Sequence, residues 1–223
     1  THDMIVGEKS AEDIKIQIPE ELFNVREYDG LVESIIDLTD VIKMLRIRLP
    51  KGEEINFKPG QYVQLKAPIY EGSTEEVYRA YSIASSPLSK DYIDLVIGYV
   101  PQGIATTYVH FHLREGDTVN INGPYGDFYY QDNEREMIMV AVGTGVAPIL
   151  SILRYMKEMN IKRKARFYFG ARTTKDLFMP DFFRELEDSL YDFKFIPCLS
   201  REPADSGWDG FRGRVNNAID QFL

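Results

Sequence analysis

The chain has 223 residues, 44% hydrophobic and 27% charged, enough apolar material for one large or two small domains and too much for a disordered chain. It carries 26 basic and 35 acidic residues, and the net charge of -9 argues against a general nucleic-acid binder, whose affinity rests on neutralising phosphates. One cysteine, Cys198, excludes an internal disulfide framework, a cysteine-ligated iron–sulfur cluster and a four-cysteine zinc site within these residues.

No run approaches ~18 consecutive apolar residues. No basic-plus-apolar leader opens the sequence, which begins at Thr1 rather than methionine. The expectation is a cytoplasmic fragment of something longer, reaching the cytoplasmic face of a membrane only through segments outside it.

Residues 1–27 read as a tail. Ile14, Ile16 and Ile18 alternate with polar residues and predict one short strand that Pro19 stops. From residue 28 to 130, strand signals dominate: Leu31–Leu38, Val41–Leu49, Gln61–Lys66, Arg79–Ala84, Tyr92–Tyr99 and Thr118–Asn122. Turn residues separate them, and one helix is predicted over Ile104–Leu113. Short strands spaced this way predict an antiparallel β-barrel or sandwich. From residue 131 to 223 the pattern changes to alternating strand and helix. Met137–Val142 reads as a strand buried on both faces, followed by helix Val146–Met159, strand Arg166–Gly170, helix Pro180–Leu190, strand Phe193–Leu199 and a last segment Val215–Phe222. That alternation predicts βαβ units around a parallel sheet.

Three segments carry candidate chemistry. Gly143-Thr144-Gly145-Val146-Ala147-Pro148 follows a strand and opens a helix. Glycines there let backbone approach a phosphate that the helix N-terminus attracts, although Pro148 stands where a dinucleotide fingerprint has its third glycine. A tight turn with no ligand is the alternative. Arg79-Ala80-Tyr81-Ser82 lies on a barrel strand, with Arg79 and Tyr81 on one face, suited to a phosphate and a flat heterocycle. An exposed arginine beside an ordinary strand tyrosine is the alternative. Gly103-Ile104-Ala105-Thr106 opens a helix, either as an anion site with Thr106 as donor or as simple capping.

These motifs, with Gly123-Pro124-Tyr125-Gly126 and Gly170-Ala171-Arg172 in the same order, resemble the ferredoxin–NADP reductase superfamily over residues 28–223. The resemblance implies two domains, an FAD-binding antiparallel Greek-key β-barrel and an α/β parallel-sheet NAD(P)-binding domain, the second incomplete at its C-terminus. It places Arg79 on the FAD pyrophosphate, Tyr81 on the isoalloxazine, Ser82 near flavin N5 as the catalytic position, Ala80 beside them, and Gly103, Ile104, Ala105 and Thr106 at the pyrophosphate. It places Gly143, Thr144, Gly145, Pro148 and Arg172 at the nicotinamide nucleotide and Ser200 and Arg201 at its ribose. The function implied is a reductase passing a hydride from NAD(P)H to FAD, then single electrons to an iron–sulfur partner. The alternatives are a non-catalytic flavin-binding assembly module, or an electron-transfer component of hydrogenase or dihydroorotate dehydrogenase type.

Ile18-Pro19-Glu20-Glu21-Leu22-Phe23 and Ser206-Gly207-Trp208-Asp209-Gly210-Phe211-Arg212-Gly213 look like the F subunit of sodium-translocating NADH:quinone oxidoreductases, and the second also like phenol- and toluene-type monooxygenase reductases. That likeness favours NADH. It implies a [2Fe–2S] domain before Thr1, as the iron–sulfur acceptor or beside a separate acceptor protein in a membrane or multisubunit complex. The sequence departs from the family at Gly98, where a basic residue is usual, and has no Cys-Gly-Pro-Pro motif. Cys198 reads as a core residue, and His110 and His112, two apart, as an unsuitable metal pair.

Overall fold

The computed structural model describes residues 25–222. The predicted strand over Ile14–Ile18 and the Ile18–Phe23 segment lie outside them.

The first half is one antiparallel sheet of six strands: β1 (Arg26–Thr39), β2 (Ile42–Arg48), β3 (Tyr62–Ala67), β4 (Val77–Ser82), β5 (Tyr92–Gly98) and β6 (Thr118–Tyr125), in the order β4-β3-β6-β1-β2-β5. β1 is longer than its apolar run because it changes partners. Arg26–Leu31 pairs with β6, then Leu31–Thr39 pairs with β2. Gly30 sits at this switch, where a Cβ would come within 2.3 Å of Ile47 Cγ2. The sheet curls until its two edges touch at a bridge between Ile83 and Leu95. Alternate residues such as Val63, Leu65, Ile93, Leu95 and Ile121 are fully buried inside.

Residues 104–113 depart from the single helix that their pattern predicts. They form a short α1 (Ile104–Thr107) that widens into a π-turn over Tyr108–His112. The widening has local causes. The Leu113 amide donates to the Tyr108 carbonyl, and His110 Nδ1 lies 2.9 Å from the Thr106 carbonyl oxygen.

The second half is a parallel sheet in the order β10-β9-β8-β7, from β7 (Met137–Val142), β8 (Ala165–Ala171), β9 (Phe193–Leu199) and a two-residue β10 (Phe211–Arg212). Helices α2 (Val146–Glu158) and α3 (Pro180–Ser189) cover one face. There Phe167, Phe169, Phe183 and Phe195 stack into the core. Helix α4 (Val215–Phe222) covers the other face through Ala218, over Tyr168 and Cys198.

One sequence expectation is corrected here. β7 is not buried on both faces, because Ile138, Val140 and Val142 are exposed. β7 is an edge strand among the described residues, and α4 lies over β8 and β9 instead.

The halves share a core. Helix α2 is buried along most of its length, and its cluster takes in Ala84 and Val96 of the barrel, with Ile42 and Met44 against it.

Candidate functional site at the junction of the two sheets

Strand β4 pairs with β3 so that Ser82 faces Tyr62, Tyr81 faces Val63 and Arg79 faces Leu65. Arg79 and Ala80 are exposed, Tyr81 and Ser82 half-buried. The Arg79 guanidinium donates to the Tyr78 carbonyl at 2.8 Å and has no carboxylate partner among the described residues. Burial pushes the Tyr81 phenol above its ordinary range, with Arg79 opposing. The strand therefore presents a free cation beside a half-buried ring.

Helix α1 packs against β3 and β4, so its start lies beside this strand. Gly103 is its N-cap and supplies no side-chain bond, which leaves the first-turn amides of Ile104 and Ala105 without a helical partner. Gly103 is required by close packing, since a Cβ would meet Thr106 Oγ1 at 2.7 Å. The Thr106 hydroxyl faces inward: it lies 3.1 Å from the Val100 carbonyl oxygen and accepts the Val100 amide at 3.2 Å. Its bonding closes the Val100–Gly103 turn.

After β7 the chain makes a short 3-10 turn over Gly143–Gly145 and enters α2, with Pro148 in its first turn. Gly143 holds φ +55, a conformation that favours glycine. Around both Gly143 and Gly145 a Cβ would find nothing within 4 Å. These glycines line open space, as close backbone approach to a phosphate requires.

Beyond the turn lies a cavity of about 380 Å³. Its floor is Val142, Gly170 and Cys198, and one wall is Thr39, Val41 and Ile42 from the β1–β2 turn of the other sheet. Polar groups reach it from Arg172, Asp176, Ser200 and Arg214. Arg201 is not among the lining residues; it is exposed, and its backbone amide donates to the Arg172 carbonyl at 2.8 Å. Arg212 is spent on structure, its guanidinium donating to the carbonyls of Glu202, Pro203 and Trp208 to hold the preceding loop. Cys198 is fully buried, its thiol raised to about 11 by burial, so it stays a thiol at neutral pH. His110 and His112 face different neighbours, Tyr99 and Tyr70.

The sequence motifs thus fall into two groups. Arg79–Ser82 and the α1 start form one, on the barrel. Gly143–Pro148, Arg172 and Ser200 form the other, on the parallel sheet. Gly98 lies between them: a Cβ there would stand 3.1 Å from Thr144 Cγ2. Its glycine keeps the halves close.

Sequence reasoning missed the charged residues that tie the halves together. Asp94 is 1% exposed and accepts Arg46 of β2 and Arg154 of α2. Arg163, also buried, donates to the carbonyls of Gln131 and Arg135 and to Asn133, pinning the linker between the sheets. A carboxylate inside the apolar run Tyr92-Ile93-Asp94-Leu95-Val96 was the available signal. Arg214 of the cavity was also missed, and no motif marks it.

Residues 30–130 match the family described as Oxidoreductase FAD-binding domain, and residues 139–223 the family described as Oxidoreductase NAD-binding domain. The chain belongs to the ferredoxin–NADP reductase family of FAD-dependent NAD(P)H oxidoreductases. It is 31% identical over 244 residues to the F subunit of Na(+)-translocating NADH-quinone reductase from Marinomonas sp. (strain MWYL1), covering 93% of this chain and 60% of the relative. The same protein from Psychrobacter cryohalolentis is 32% identical, covering 93% and 59%. The chain spans about 60% of the length of these relatives. Among solved structures, the Amycolatopsis cytochrome P450 reductase GcoB has a TM-score of 0.77 and 29% identity, covering 89% of this chain and 58% of that one. The FAD/NAD-binding domain of nitric oxide dioxygenase from Vibrio cholerae shares the fold alone, with a TM-score of 0.75 and 20% identity over 85% of this chain and 80% of that one.

Proposed function

We propose that this reductase module takes a hydride from NADH and passes single electrons to an iron–sulfur acceptor. The observation that carries the reading is the cavity beside the Gly143 turn of the parallel sheet, which the barrel's Thr39–Ile42 turn walls. FAD, when bound, accepts the hydride from nicotinamide and releases its electrons one at a time.

The residues present fit both groups. Arg79, free of any carboxylate among the described residues, would grip the FAD pyrophosphate together with the uncapped α1 amides. Tyr81, on the same face, would cover the ring system, and Ser82, one residue on, would stand near the reacting edge as the catalytic position. The open space at Gly143 and Gly145 would admit the dinucleotide phosphates. Thr144 and Pro148 shape that turn, while Arg172 and Ser200 would hold the adenosine end. We assign the barrel to residues 28–130 and the nucleotide domain to residues 131–223.

NADH is favoured over NADPH because two relatives are named NADH-quinone reductases. Those names also support an acceptor inside a multisubunit complex. Among the described residues no helix is long and apolar enough to cross a membrane.

The purified chain reconstituted with FAD tests the reading. NADH should bleach the bound flavin without oxygen, and a one-electron iron–sulfur acceptor should restore its colour. Flavin that binds but never bleaches would contradict it.

A further inference from the structure

Helix α2 does two jobs at its two ends. Its first turn follows the Gly143–Gly145 turn, and its thirteen residues span about 20 Å at ~1.5 Å per residue. Its later turns reach the other sheet. Arg154 Nη1 donates to the Ala84 carbonyl at 2.8 Å and to Asp94 Oδ2 at 3.0 Å. Glu158, one turn further, accepts the Ser86 hydroxyl. Ala84 and Ser86 lie just beyond Ser82 on the same stretch of chain.

Asp94 gives this contact its rigidity. Its carboxylate is buried and receives Arg46 in two parallel bonds, Nε to Oδ1 at 2.8 Å and Nη2 to Oδ2 at 3.0 Å. Its backbone is tied to the same segment, the Ala84 amide donating to the Asp94 carbonyl and the Asp94 amide to Ser85 Oγ. Charge-assisted bonds to a buried carboxylate are strong and directional. Arg154 is also fixed over the Phe182 ring at 5.7 Å.

We propose that Arg154, through Asp94 and the Ala84 carbonyl, is a positioning residue for hydride transfer: it sets the distance between the Gly143–Gly145 turn and the Arg79–Ser82 strand. This rests on the cofactor placement proposed above. The helix acts as a strut, fixed to the flavin-side strand at one end and carrying the nucleotide turn at the other. Reacting atoms must approach within ~3–3.5 Å, and a shift of about 1 Å costs about a hundredfold in rate. Arg46 fixes the buried carboxylate within the barrel, and Arg154 ties the helix to it.

Arg154→Met is the test. It removes the Arg154 crossing bonds, leaving that of Glu158 to Ser86, and keeps Asp94 paired with Arg46, so no buried charge is stranded. Arg46→Met is the control, removing a pair inside the barrel while the crossing remains. In the FAD-loaded chain, Arg154→Met should lower the limiting rate of flavin reduction at saturating NADH roughly ten- to a hundredfold. FAD affinity and half-saturating NADH should change less than about threefold, and Arg46→Met should keep the wild-type rate within the same margin. A second readout needs no cofactor. Spin labels at Lys51→Cys and Arg184→Cys, both exposed, report the distance between the halves, and buried Cys198 escapes labelling. The wild-type distribution should be narrow and that of Arg154→Met broad. A narrow distribution in Arg154→Met, or an unchanged limiting rate, overturns the proposal. Wild-type flavin that never bleaches overturns the cofactor reading instead, and the label distances then decide the strut by themselves.

Discussion

Gly98 of the barrel stands against Thr144 of the nucleotide turn so closely that a single added Cβ would lie 3.1 Å from the threonine methyl carbon. That approach joins the end of β5 to the turn that opens α2. Gly98→Arg should crowd Thr144 and push the halves apart. We expect FAD affinity to hold and the NADH-driven bleaching rate to fall about tenfold or more. An unchanged rate in stopped-flow measurement would mean that the junction tolerates the larger group.

Arg79→Ala should weaken FAD binding without destabilising the apo-protein. The side chain is exposed and, among the described residues, makes one bond, to the neighbouring Tyr78 carbonyl. Loss of one charge-assisted contact amounts to ~1.5–3 kcal/mol, or roughly 10- to 150-fold in Kd. Flavin titration and apo thermal melts read the two effects separately. An unchanged Kd would remove Arg79 from the site.

Gly145→Val should abolish NADH reduction while leaving the fold and FAD affinity intact. Gly145 has helical backbone angles, and its Cβ position faces open space. The contrast is Gly143→Ala, which forces an alanine into φ +55 at a cost of about 1–2 kcal/mol. Thermal melts should therefore separate the two variants, Gly143→Ala falling and Gly145→Val holding. Normal reduction in Gly145→Val would move the nucleotide elsewhere.

For nucleotide choice, Arg214 should matter and Arg201 should not. Arg214 lines the cavity; Arg201 does not. We expect wild type to favour NADH in kcat/KM, Arg201→Ala to leave the NADPH:NADH ratio unchanged, and Arg214→Ala to lower it further. The comparison belongs at fixed low salt, since screening weakens charge contacts. Wild-type preference for NADPH would overturn the choice of NADH.

A pH effect should come from His110. Burial pushes its imidazole below the ordinary range; its bond to the Thr106 carbonyl opposes this and Lys43 adds to it. The unfolded chain takes up that proton first as pH falls. The stability contribution is therefore complete above about pH 6.5 and lost progressively below it. Denaturant melts between about pH 7.5 and 5.5 should show a slope that His110→Gln reduces. An identical slope in both proteins would place the titration elsewhere.

The sequence was most legible where one local rule decides. The strand signals along Gln61–Lys66 and Tyr92–Tyr99 predicted strands that form there in one antiparallel sheet, and the glycines of Gly143–Gly145 marked the turn that opens α2. It was least legible where burial depends on distant chain. Met137–Val142 is uniformly apolar, yet whether a helix covers its outer face is settled by α4, some seventy residues later. Residues 104–113 carry a helical pattern, but pattern does not report that the last turn widens. Ser200-Arg201 showed a basic residue at a strand end without showing which way the loop turns it, and Arg214 reaches the cavity from beyond the Trp208 loop instead. The Arg46–Asp94–Arg154 cluster joins three elements that are far apart in sequence, so only the fold brings it together.

The central claim is that the two cradles act on one reaction across the junction. Anaerobic stopped-flow reduction of the FAD-loaded chain tests it most directly, comparing NADH with NADH deuterated at nicotinamide C4. Single-phase bleaching is expected, slowed by deuterium at one of the two C4 positions only, because the junction presents one face of the nicotinamide to the flavin. Bleaching that deuterium at neither position affects, or no bleaching with FAD firmly bound, would contradict it.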